Sequence, residues 1–265
     1  MDKIAIAILV GLFSLGLSGS ASASGPEVAP VTGGQRRLRE LLQLLPLDDT
    51  QRSALVLVAR GESGFNPLVG LGIPALFPPG TQPNLKASAK LQAAEARAAR
   101  RLYQRNAGLF AACGHPADAY SFGSGGWCGL LPASGLAQLA GTPLVCWAPS
   151  SIFDERRGLL LAVLYARALQ GWAGFKKIPT VATLRRGWGL PSAMGEPIPE
   201  KKRAKFQRHA NEIGEPQLLD REVKRFPGDP LALWQALGGD QVAALAPDFD
   251  PDPEGNEDED GDGNA

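Results

Sequence analysis

"ALVLVARGESGFNP", residues 54–67, decides how this chain is read. Six apolar residues, Ala54 to Ala59, run into Arg60, Gly61 and Glu62, and "SGFNP" then breaks the pattern. Asp48 or Asp49 upstream is a good N-cap, so a helix is predicted from there to about Gly61–Gly64. A stretch this uniformly apolar belongs inside a core. The acid at its end is the anomaly. The helix dipole favours acids at the N-terminus and bases at the C-terminus, so Glu62 stands at the wrong end. Two readings follow. Glu62 is a solvated helix-end acid, or it lies against a hydrophobic wall. Such burial raises a carboxyl pKa and suits the group to general acid/base work. Cleavage of a glycosidic bond is a common use for such a glutamate in a cleft.

The elements around this helix are also predicted to be helical. "QRRLRELLQLLPL" places leucines at 38, 41, 42 and 45, a helical spacing, and Pro46 stops it. "NPLVGLGIPALFPPGTQPN" (66–84) reads as loop. "LKASAKLQAAEARAARRLYQRN" (85–106) is an Ala-rich helix whose arginines at 97, 100, 101 and 105 form a solvated face. "GSGGWCGLLPASGLAQLAG" (123–141) is a glycine-rich loop entering a short helix. "IFDERRGLLLAVLYARALQGW" has Asp154 as N-cap and an apolar stripe from Leu159 to Leu169, a central core helix. "IPTVATLRRGWGLPS" is a further helix with Pro179 in its first turn and Gly-Trp-Gly as its stop. "EKKRAKFQRHANE" reads as a basic surface helix and "DPLALWQALGG" as the last one. No period-2 strand and no repeat stands out. The fold class is mainly α, with a Gly/Pro-rich loop region and a small basic helical C-terminal extension.

Composition sets the compartment. The chain has 265 residues, with 44% hydrophobic content and 32 Gly and 22 Pro. This suits one sizeable core with many turns. Residues 1–23 have the form of a signal peptide: Lys3, an apolar run over 4–17, and Ala21-Ser22-Ala23 as a small-x-small cleavage site. The run is short for a spanning helix. Export to the periplasm or outside the cell is therefore expected, with no stable membrane span after cleavage, and a retained anchor is the alternative. Residues 24–34 read as a linker, 35–195 as the main domain and 196–247 as the basic extension. The tail, 248–265, holds nine acids and no base. Removing those nine from the 27 acids leaves 18 against 27 bases, so the body carries an excess of nine positive charges. A basic body suits an anionic surface or polymer. The tail has the composition of a disordered segment. Three cysteines in an exported chain suggest one bridge and one thiol. Cys113 and Cys146 lie in loop-like sequence and are paired here, and Cys128 is left as a packed small residue. Neither the two histidines nor the cysteines have metal-ligand spacing, so no metal and no cofactor is expected.

The motif around Glu62 resembles the Glu-Ser-x-Phe-x-Pro signature of lysozyme-like lytic transglycosylases of the soluble-lytic-transglycosylase type. A second block of that family, a small-residue run followed by Gly-Leu-Met-Gln, is similar to "SGGWCGLLPASGLAQL". A third, a helix after proline and aspartate, is similar to "APSSIFDERRGLLLAVLYARAL". The resemblance covers about residues 50–190. It implies a lysozyme-like helical domain with Glu62 as the sole catalytic carboxylate and Ser63 placing substrate or glutamate. It implies contacts to glycan from Ser124, Gly126, Trp127, Gly129, Leu130 and Trp188. The chain departs from the family in two places. Pro132 follows Gly129-Leu130-Leu131 where the family has glutamine, and "LRRGWGLPS" stands where the family has an Ala-Tyr-Asn-Ala-Gly motif. Trp188 is the aromatic nearest that tyrosine's place.

Several side chains admit two readings. Trp127 either stacks on a sugar face or is buried packing. Ser63 either serves the site or turns the chain. Gly125, Gly126 and Gly129 either let backbone approach a glycan or form a plain turn. Ser121 and Ser124 bond sugar hydroxyls or water, and Phe65 reads as core.

The expected function is cleavage of the β-1,4 bond between N-acetylmuramic acid and N-acetylglucosamine in peptidoglycan, giving 1,6-anhydro ends. The partners are then glycan strands, with an envelope or secretion-apparatus protein as a further one. Hydrolysis, with Asp118 or Asp154 positioning a water, is the alternative chemistry. A non-catalytic lysozyme-like wall-binding or envelope-assembly module is the alternative role. Nucleic-acid binding is not expected, because no base-reading motif accompanies the charge.

Overall fold

The computed structural model describes residues 32–171, 180–193 and 196–240. The signal segment, Pro179 and the acidic tail lie outside the described residues. Helix α1 (Gly33–Gln43) starts a little earlier than the leucine spacing suggests, because the Thr32 hydroxyl accepts from Gln35 N at 3.2 Å and caps it. Leu38, Leu41, Leu42 and Leu45 are buried. Helix α2 (Asp49–Glu62) is capped by Asp48 in a reciprocal capping box with Gln51. Every residue from Ser53 to Ala59 is buried. Such a helix needs partners on all sides, and α2 has α1, α7 (Val181–Gly189) and α8 (Glu200–Glu212) packed round it.

Helices α3 (Ala89–Arg105) and α4 (Ala107–Phe110) follow, then α5 (Pro132–Leu136) and the central α6 (Glu155–Gly171). The Asp154 carboxylate caps α6, accepting from Arg156 N at 3.0 Å and Arg157 N at 2.8 Å. Helix α6 packs against α5, α7 and α9 (Pro230–Ala236). The C-terminal segment joins the same core: Phe206, Ala210, Leu218, Leu219, Phe226 and Leu233 are buried in one cluster with Leu55 and Leu160. The protein is mainly helical, as its sequence predicts.

Strands are the main departure from that prediction. β1 (Val69–Leu71), β2 (Gln82–Pro83) and β3 (Ser124–Gly125) form a sheet of order β2-β1-β3. β1 runs parallel to β2 and antiparallel to β3, with Gly70 opposite Gly125 and Leu71 opposite Ser124. Two or three residues are too few to show a period-2 pattern. The stretch expected to be plain loop thus holds two strands with a 3₁₀ turn (Pro74–Leu76) between them. This sheet brings the chain just after Glu62 against the glycine-rich block some 60 residues later. Helix α7 differs too: Gly187 and Trp188 lie within it, and it ends at Gly189. Trp188 donates its indole N–H to Cys128 O at 2.8 Å and meets Tyr165 edge-on, 5.1 Å between centroids. These tertiary contacts override the weak helix propensity of glycine. Cys113 and Cys146 form a disulfide (Cα–Cα 4.9 Å) joining 3₁₀ turns at Ala111–Cys113 and Pro143–Cys146. Cys128 is a buried thiol.

Candidate active site around Glu62

Glu62 ends α2 with a side chain only 12% exposed. Arg185 of α7, itself 6% exposed, places Nη2 at 2.6 Å from Glu62 Oε1, a charged neighbour that neither reading of the sequence supplied. The guanidinium is backed by the Phe206 ring of α8, with its centre 5.2 Å from the ring centroid. Gly61 makes room for this pair, because a Cβ there would overlap the Arg185 guanidinium. On the other side of the acid lies Gly129, at φ +63°, where a Cβ would sit 3.1 Å from Glu62 Cβ and 3.3 Å from Oε2. The left-handed backbone and the close approach both call for glycine. Glu62 is therefore held between an arginine and a bare stretch of backbone.

Ser63 caps the end of α2, and its hydroxyl lies 3.2 Å from Ala59 O and 2.8 Å from Trp127 O. It ties the helix end to the glycine block through main-chain acceptors rather than through Glu62. Phe65 is buried, as expected, in a left-handed conformation at φ 69°. Trp127 is 1% exposed and donates to Glu155 O at 3.0 Å. It is core, and the sugar-stacking reading is excluded for it. Gly126 packs against the Ile152 carbonyl, where a Cβ would overlap, so its role is close packing rather than an approach to glycan. Ser121 is likewise buried. Asp154 is committed to capping α6, and Asp118 is exposed on a separate 3₁₀ turn (Ala117–Tyr120).

Four predicted residues do come together. Ser124, Gly129, Leu130 and Trp188 line one pocket, with Leu102, Leu131, Ser134 and Tyr165 completing it. Its volume is about 20 Å³, room for a water but not for a sugar ring. Ser124, Leu130 and Trp188 are themselves buried, and Glu62 lies beside Gly129 rather than in the lining. Burial pushes the Tyr165 phenol up to about 12, opposed by its hydrogen bond with Ser134, so it stays a neutral donor. The Cys128 thiol is pushed up by burial first and by the Glu62 carboxylate second, against a smaller opposing effect of Arg185. It is protonated and inert. On α8, burial and then the charges of Arg185, Lys205, Arg60 and Arg208 hold the His209 imidazole down at about 3. Among the described residues no cluster of His, Cys, Asp and Glu suits a metal ion, and no helix is long and apolar enough to cross a membrane.

Sequence reasoning missed Arg185 and Tyr165. A signal for the first existed. At about 100° per residue, Val181, Ala182, Leu184 and Trp188 share one face of the helix, and Arg185 falls within that face, so it has to be buried and partnered. No family model matches this chain, and neither a curated protein nor a solved structure does.

Proposed function

We propose that the protein is an exported, lysozyme-like peptidoglycan-cleaving enzyme in which Glu62 serves as both general acid and general base. One observation carries the reading. The Glu-Ser pair and the glycine block, which the resemblance singled out separately, meet through Ser63 Oγ and Trp127 O at 2.8 Å and through Gly129 against Glu62. Glu62 protonates the glycosidic oxygen as the C1–O4 bond breaks. It then takes the proton of the muramyl 6-hydroxyl as O6 bonds to C1. The product is a 1,6-anhydro ring, the glutamate is restored, and no water is consumed. Asp154, one of the two candidates for a water-positioning acid, is occupied as a cap, which favours this route over hydrolysis.

A second reading, a wall-binding module without catalysis, is favoured by the close Arg185–Glu62 pair and the narrow pocket. Digestion of purified peptidoglycan, with products identified by mass spectrometry, separates the two. Anhydromuropeptides are expected from the wild type, and Glu62→Gln should lower their rate by about 10²- to 10⁴-fold. Reducing-end products would make the enzyme a muramidase. A folded protein that binds the wall and releases nothing would establish the module.

A further inference from the structure

We infer that Arg185 is a positioning residue for Glu62: it holds one carboxylate oxygen so that the other is the one that exchanges protons with the glycan. The inference rests on the acid/base reading of Glu62 and extends it to a residue that the family signature does not supply.

Three features of the site lead there. First, the closest contact falls on one carboxylate oxygen. Arg185 Nη2 takes Oε1 at 2.6 Å, while Oε2 lies beside Gly129, which lines the pocket. Second, the hydroxyls best placed to orient the acid are engaged elsewhere. Ser63 Oγ bonds main-chain carbonyls, and Tyr165 is bonded to Ser134. Third, the surroundings are shaped to the guanidinium. Phe206 backs it, and Gly61 keeps free the space that a Cβ would take from it. Helix α2 gives up the better helix former at position 61, where alanine would be preferred on propensity alone. In the proposed cycle the positive charge faces the negative charge left on Glu62 each time the acid gives up its proton. A planar guanidinium fixes the carboxylate in orientation in a way an ammonium cannot.

The test uses the full chain and three variants: Gly61→Ala, Arg185→Lys and Arg185→Gln. Release of anhydromuropeptides gives kcat and KM, thermal unfolding gives the folded fraction, and ¹⁵N-detected guanidinium NMR reports the pair without turnover. Gly61→Ala retains both charged groups and displaces only the end of a flexible side chain, so it isolates geometry from fold. It should leave Tm and KM near the wild type and lower kcat by about tenfold, less than the ~100-fold of a full ångström's misplacement. Arg185→Gln should lower kcat by about 100-fold, and Arg185→Lys should recover part of that loss. The wild type should show a slowly exchanging guanidinium signal, lost in Glu62→Gln and shifted in Gly61→Ala. An unchanged kcat in Gly61→Ala and Arg185→Gln would overturn the positioning role alone. A higher kcat in Arg185→Gln would also overturn it and make the pair a latch. A wild type with the guanidinium signal but no product would overturn the acid/base reading, and this role with it.

Discussion

Two of the helices that contribute a residue to the pocket, α3 and α7, also carry arginines. On the α2–α7–α8 side Arg185 and Arg186 are buried. On the α3–α5 side Arg97, Arg100, Arg101 and Arg105 are all exposed, while Ala96, Ala98 and Ala99 of the same helix are buried. Ala98 and Ala99 pack with Leu131, and α3 thus presents small side chains and the buried Glu95 inward and its arginines to water. The same residue type is a solvated fringe on one helix and a structural ion on the other. Helix face decides which arginine is buried, but not what makes its burial tolerable. A carboxylate within reach and a glycine to admit the guanidinium make it so, and α7 has both in Glu62 and Gly61.

The comparison is most sharply broken by Arg185→Ala. Removing one partner leaves the largely buried Glu62 without its ion-pair partner and with Lys205 as the remaining nearby cation, and up to about 3–5 kcal/mol of stability should be lost. Urea unfolding at pH 7 measures it. The other side of the molecule depends on a covalent tie. Replacing Cys113 and Cys146 by serine opens a loop spanning 33 residues and should cost about 3–4 kcal/mol in the chain-entropy model, read by the same unfolding curve. A smaller effect is set by pH at His209. Its imidazole is held at about 3, below the ordinary 6.5, so the folded form refuses a proton that the unfolded form accepts. Above pH 6.5 both forms are neutral and nothing is lost. Below it, stability falls toward pH 3, by about 1–2 kcal/mol in all once solvent screening is allowed for. His209→Gln should flatten the decline of Tm between pH 6.5 and 4 relative to the wild type. The smallest effect belongs to α3, where Arg97→Ala or Arg101→Ala should change stability by no more than about 0.5 kcal/mol.

Much of the helical frame was legible because its signals are local. Asp48 before an apolar run, Asp154 before a leucine stripe and Pro46 after one each act within a turn. The half of the site that follows Glu62 in sequence was legible for the same reason, since "ESGFNP" ends a helix visibly. What was hidden is tertiary. Trp127 and Trp188 each follow a glycine, and only the fold shows that both are buried and that Trp188 alone of the two lines the pocket. The strands are too short to leave a pattern. Arg185 stands 123 positions after Glu62, and no local rule relates them.

Gly61 also bears on how relatives of this chain would be recognised. The guanidinium occupies the place of its missing methyl group, so positions 61 and 185 are not free to vary independently. A lineage that keeps arginine at 185 is pressed to keep glycine at 61. One that loses the arginine can regain alanine and a firmer last turn on α2. Glycine at 61 and arginine at 185 are therefore expected to be kept or lost together, a pairing too far apart in the chain for a contiguous motif to hold.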